Sequence, residues 1–159
     1  MEPIILDAAE LVRCKVKELV STLSQFNFNH ETLQGACGIA SRTLHRVLKR
    51  LGIQNDFVVG RYELHDGSNR INHCWVEIPR LNVVVDLTAT QFDLEDQVYF
   101  SPCCYPYIPC HRDAGATKHL STWEGQSHIW YEKSLKEIED FAVLQLRCYR
   151  KTKNEQLPI

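Results

Sequence analysis

A thiol, an imidazole and a carboxylate follow one another in three short stretches: GACGIAS around Cys37, NHCWVEI around His73 and VVVDLTATQF around Asp86. A thiol nucleophile needs a base to take its proton and an acid to orient that base, and the series Cys37, His73, Asp86 offers all three. Cys37 directly follows Gly35 and Ala36 and opens a run of helical character. A helix start presents unpaired N–H groups and the positive end of the helix dipole, and both favour thiolate over thiol. The same N–H groups can hold the oxyanion of a tetrahedral intermediate. The small neighbours Gly35, Ala36 and Gly38 would let a substrate backbone approach closely. The plainer reading makes Cys37 a small core residue on an apolar helix face.

His73 and Asp86 weigh against the plainer reading through the geometry of a hairpin. If the turn between their strands is centred on Pro79-Arg80, His73 lies opposite Asp86. A four-residue turn over 79–82 instead sets Trp75 against Asp86 and His73 against Thr88. Either register leaves imidazole and carboxylate on one face, because side chains alternate along a strand. The opposite face carries Cys74, Val76, Ile78, Val83, Val85 and Leu87, all apolar. A surface ion pair across a hairpin would also put His beside Asp, but it would not explain Trp75 next to His73.

The elements that position these residues are legible around them. Leu11, Val12, Val16, Leu19, Val20 and Leu23 recur as on an amphipathic helix over residues 6–26. Cys37, Ala40, Leu44, Val47, Leu48 and Leu51 share a second helical face, ending at Gly52. Strands are expected over 57–64, 74–78 and 82–87. Residues 93–128 read as irregular, with Pro102, Pro106 and Pro109 interrupting regular structure. A helix near Ser134 to Asp140 running into a strand, FAVLQLRCY, completes an α+β chain with helices packed on an antiparallel sheet. A chain of 159 residues without a linker or repeat reads as one domain, 1–159.

GACGIASRTLHRVLKRLGI, the strand VVGRYEL, NHCWVEI and VVVDLTATQF together resemble the transglutaminase-like superfamily, within the papain-like cysteine-enzyme fold. Cys37, Ala40, Leu51-Gly52-Ile53, Gly60, His73, Trp75, Val76, Glu77, Asp86 and Thr88 occupy the positions of that family's pattern, over about residues 34–92. Cys74 stands where the family often has Ala, and Leu87 where it has Pro. The resemblance implies a papain-like or transglutaminase-like core. It makes Cys37 the attacking thiol that forms a thioester, His73 the base and then acid, and Asp86 the orienting group. It implies acyl transfer from an amide, by a cysteine peptidase, a glutamine deamidase or a transamidase, acting on a protein, a peptide or a small amide or acyl substrate. Gln34 is one side-chain oxyanion donor, with Gln25 and Asn29 as alternatives, besides the Cys37 backbone N–H.

Other stretches bound the reading. Cys103, Cys104, Cys110 and His111 offer soft metal ligands, but adjacent pairs converge poorly on a tetrahedral centre, so neither a metal nor a cofactor is expected. The expected role of residues 99–111 is a Pro- and Tyr-rich lid, in which Tyr105 and Tyr107, with Trp75, line the substrate path. His119 and His128 read as surface residues, and KSLKEIED as a solvated helix face. A net charge of -2 and a pI near 6.4 give no footprint for nucleic acid. No run of about 18 apolar residues suggests a membrane partner, and the first residues lack a secretory pattern. The expectation is a cytoplasmic protein with its seven cysteines reduced, unless secreted by a route that leaves no such mark. The oligomeric state has no signature. Two non-enzymatic alternatives stay open: a silent binding or regulatory module of the same fold, and a zinc or thiol module centred on residues 103–111.

Overall fold

The computed structural model describes residues 2–22, 33–64, 70–92, 98–103, 106–113 and 127–155. Among these the chain is α+β, with three helices and one five-stranded antiparallel sheet. The helices are α1 (Pro3–Ser21), α2 (Cys37–Arg50) and α3 (Ser127–Glu155), and the strands are β1 (Asp56–Glu63), β2 (Arg70–Ile78), β3 (Val83–Asp86), β4 (Tyr99–Pro102) and β5 (Tyr107–Asp113). No helix among the described residues is long and apolar enough to cross a membrane.

The helices cover one face of the sheet. Val12, Val16 and Val20 of α1, Ala40, Leu44, Val47 and Leu48 of α2, and Leu135, Ile138, Ala142, Val143 and Leu146 of α3 bury against Val76, Ile78, Val85 and Leu87. Arg42 and Arg46 both reach Glu132, at 2.8 and 3.0 Å, and tie α2 to α3. The expected strand FAVLQLRCY is corrected to helix, because its buried residues Ala142, Val143 and Leu146 continue the helical spacing set by Leu135 and Ile138. A stretch with one apolar row fits either period until its neighbours are counted.

The hairpin takes the longer turn. Val76 pairs with Val85, Glu77 with Val84 and Ile78 with Val83. This register, continued, sets Trp75 against Asp86. A 3-10 turn over Pro79–Leu81 makes the connection, closed by Asn82 in the left-handed region (φ 52), which Asn tolerates better than most residues.

The stretch expected to be irregular is corrected in part: residues 99–102 and 107–113 are strands. They flank the sheet in the order β4-β3-β2-β1-β5, which leaves Pro102 and Pro109 on edge strands, where the missing N–H is tolerated. Only residues 103–106 join these opposite edges. Tyr107 of the edge strand β5 donates to Asp86 of β3 at 2.9 Å, across the width of β1 and β2, so the sheet curls around the face away from the helices. Val58, Tyr62, Trp75, Val84, Phe92 and Tyr107 fill that inner face, with Cys103 packed against them. Gly60 is required there, since a Cβ would sit 2.4 Å from the Trp75 ring and 2.4 Å from the Ile108 carbonyl oxygen.

Candidate active site

Cys37 is the first residue of α2, reached through a turn in which Leu33 and Gly35 have φ of 57° and 87°. Gly35 suits that conformation because it has no Cβ to clash. The N-cap is Ala36, whose side chain offers no acceptor to the first N–H groups of α2. The helix docks where the hairpin stops. Because β3 pairs only with Val76–Ile78, the edge of β2 at Cys74 that is turned away from β1 meets α2 instead of a strand. Ser41 Oγ donates to the Cys74 carbonyl at 2.9 Å, and the Cys74 N–H donates to the Cys37 sulfur. A strand that runs on past its partner thereby holds the helix start beside His73.

His73 and Asp86 are buried, at 1% and 0% exposure. His73 Nε2 donates to Asp86 Oδ2 at 2.7 Å. The carboxylate also accepts from the Thr88 N–H (2.8 Å), Thr88 Oγ1 (3.1 Å) and Tyr107 Oη (2.9 Å). With Nε2 taken, Nδ1 is the ring nitrogen that faces the Cys37 thiol, with which His73 hydrogen-bonds. Gln91 Nε2 approaches Nδ1 at 3.4 Å and is held by Thr88 O and Oγ1 at 2.9 and 3.0 Å. The imidazole is held by Asp86 and lies near Trp75 (6.1 Å between centroids) and edge-on to Phe92 (4.8 Å). Phe92 in turn stacks on Tyr62 at 3.8 Å.

The electrostatics favour charge separation across the three groups. Burial alone would raise the Asp86 carboxyl, but the His73 charge and hydrogen bond, the Thr88 N–H and the Tyr107 hydroxyl hold it below 3.8. Burial opposes an imidazolium at His73, yet Asp86 by charge and hydrogen bond, with help from Cys37, pushes the ring up to about 10. The Cys37 thiol is drawn well below its ordinary value. The Cys74 thiol, donating to Cys37, is the largest cause; burial opposes it, and His73 and the Cys74 N–H add to it. Cys74 itself is pushed up, first by that same bond to Cys37 and then by burial. Both shifts favour a thiolate–imidazolium pair with a carboxylate behind it, and Cys37 as a residue is half-buried.

The other residues named from sequence fall elsewhere. Tyr107 is 3% exposed with its hydroxyl on Asp86, so it supports the acid from β5. Trp75 is fully buried, and its indole N–H donates to Glu77 Oε1 at 3.2 Å. Glu77 is engaged by Arg112 at 2.6 and 3.3 Å. Gln34 lies exposed in the turn before α2. Gln25, Asn29, Cys104, Tyr105 and His119 lie outside the described residues, and His128 falls within α3. Cys103 follows β4, while Cys110 and His111 are exposed neighbours on β5. Among the described residues no group of three or more His, Cys, Asp or Glu side chains could hold a metal ion.

Arg13 was not singled out from sequence. It is 5% exposed on α1 and donates to the Leu87 carbonyl and to Thr90 Oγ1, bracing the segment that follows Asp86. Its signal was legible: an arginine flanked by Ala9, Val12, Val16 and Val20 on an otherwise apolar face. Gln91 and Phe92 carried no such signal, because a 3-10 turn over Ala89–Phe92 brings them back toward His73.

The fold and site thus define an α+β chain in which a thiol at the start of α2 meets an imidazole and a carboxylate on a curled antiparallel sheet. No protein-family model, no curated protein and no solved structure matches the chain.

Proposed function

We propose that this protein is a thiol-dependent acyl-transfer enzyme acting on amides, of the transglutaminase-like or papain-like kind. The observation that carries the reading is the line Cys37–His73–Asp86, with the sulfur on one ring nitrogen and the carboxylate on the other. The Cys37 thiolate attacks an amide carbonyl carbon, and the charge that develops on oxygen meets the N–H groups at the start of α2. His73 gives its proton to the departing amine as the C–N bond breaks, leaving a thioester. Water or an amine then attacks, His73 takes a proton from it, and the Cys37 thiolate is restored. Water makes the enzyme a peptidase or deamidase; an amine makes it a transamidase. Asp86 keeps the ring oriented and its cationic form stable throughout.

The test uses the intact protein. Iodoacetamide at mildly acidic pH, followed by mass analysis, is expected to label Cys37 ahead of the other six cysteines, because the Cys37 thiol is drawn well below its ordinary value. An activated aryl ester should leave one acyl group on Cys37, and Cys37→Ala should take up none and lose all turnover. Equal acylation of wild type and Cys37→Ala overturns the reading.

A further inference from the structure

We propose that Cys37 and Cys74 form a reversible disulfide on exposure to a hydroperoxide, a modification that locks the site and protects its sulfur. The geometry rests on two elements meeting. The Cys74 thiol and the Cys74 backbone N–H both hydrogen-bond to the Cys37 sulfur, and the Cys74 carbonyl is anchored to Ser41 of α2 at 2.9 Å. Two sulfurs held against each other by a docked helix need little motion to bond. The exposed cysteines, Cys14, Cys110 and Cys148, have no such arrangement with Cys37.

The chemistry balances with a hydroperoxide as the oxidant. The Cys37 thiolate attacks the O–O bond, its sulfur becomes a sulfenic acid, and the departing oxygen takes the His73 proton to leave as water or an alcohol. The Cys74 sulfur then attacks the sulfenic sulfur and expels a second molecule of water, for which the Cys74 thiol supplies a proton. Two thiols lose two hydrogens in all, and the peroxide is reduced. An adjacent resolving thiol competes with a second peroxide, which would carry Cys37 on to the irreversible sulfinic acid. The depressed Cys37 thiol and the protonated Cys74 beside it are the states that the first step needs. The proposal rests on an activated Cys37 and not on acyl transfer.

Trypsin makes the test direct. Residues 18–42 and 71–80 are tryptic peptides that carry Cys37 and Cys74 as their only cysteines. The reduced full chain is treated with hydrogen peroxide, quenched, alkylated and digested without reductant. The expected result is a linked pair of these peptides, with iodoacetamide labelling of Cys37 reduced to background and restored by dithiothreitol. Recovery of Cys37 as sulfinic acid beside a free Cys74, linkage of Cys37 to another cysteine, or no oxidation of Cys37 overturns the proposal. In Cys74→Ala, peroxide should drive Cys37 to acids that dithiothreitol does not reverse; full recovery there overturns it as well. Should that variant not fold, the wild-type peptide map decides alone. Acylation of the reduced protein is scored separately, so a linked pair without acylation sinks only the acyl-transfer reading.

Discussion

On the helix side of the sheet, Val76, Ile78, Val85 and Leu87 are buried among the apolar side chains of α1, α2 and α3. One residue along the same strands, on the other side, His73, Trp75, Glu77 and Asp86 are buried just as fully. The first set is held by volume and contact, which are tolerant of direction. The second is held by a series of aimed bonds: Tyr107 and Thr88 on Asp86, Asp86 on His73, Trp75 and Arg112 on Glu77. A buried charge is costly unless each lone pair and proton is matched, and the Asp86 carboxylate has four donors. The difference teaches that substitutions on the helix side should change stability without moving the chemistry of Cys37. Those on the inner face should move the chemistry.

The largest expected effect follows from Asp86→Asn. The carboxamide cannot stabilise an imidazolium, so the His73 ring should fall from about 10 and the Cys37 thiolate should lose its counter-charge. Turnover should drop by up to about ten-thousandfold, the scale seen when an orienting carboxylate is made neutral. The pH at which iodoacetamide begins to label Cys37 should rise. An unchanged labelling profile would mean that the carboxylate does not support the pair. Ile78→Ala probes the other face. Removing most of a fully buried side chain should cost about 2–5 kcal/mol in urea unfolding, while the labelling profile stays where it is. A profile displaced as far as in Asp86→Asn would break the comparison, since the two faces would then be energetically one.

The same contrast explains which parts were legible in the sequence. Alternation along 74–78 and 83–87 gave both faces of the hairpin, because burial on one side imposes a period of two. The six-residue face of α2 likewise followed from burial on one side, and the turn before Cys37 needed Gly35. The hairpin register stayed open between two choices, since it depends on Asn82 entering the left-handed region. What sequence could not yield was set by long-range closure. Pro102 and Pro109 suggested a loop, and nothing local says that residues 99–102 and 107–113 occupy opposite edges of a curled sheet. Tyr107 therefore reads, from its neighbours alone, as part of a Tyr-rich lid, and the local sequence does not announce that its hydroxyl crosses to a carboxylate twenty-one residues away. The contact between Cys74 and Cys37 depends on where β3 stops, which no pattern in the hairpin announces.

Tyr107→Phe carries the smallest expected effect and the sharpest sign. It deletes one hydrogen bond to a buried charge, worth about 1.5–3 kcal/mol, and leaves the ring packed against Trp75 and Tyr62. Asp86 has a folded-state pKa depressed below 3.8, so it stabilises the fold above that value and loses its contribution as pH falls through the depressed one. Without the Tyr107 hydroxyl the folded pKa moves back toward 3.8, and part of that contribution disappears. The urea midpoint of Tyr107→Phe should therefore lie below wild type at pH 5 to 6. The gap should close as both proteins are acidified and Asp86 is protonated in each. His73 runs the other way: its raised pKa stabilises fully below 6.5 and is lost toward about 10, so alkaline pH narrows the same gap more weakly, through the weakened Asp86. A deficit that is constant with pH would assign Tyr107 to packing alone and remove it from the support of Asp86.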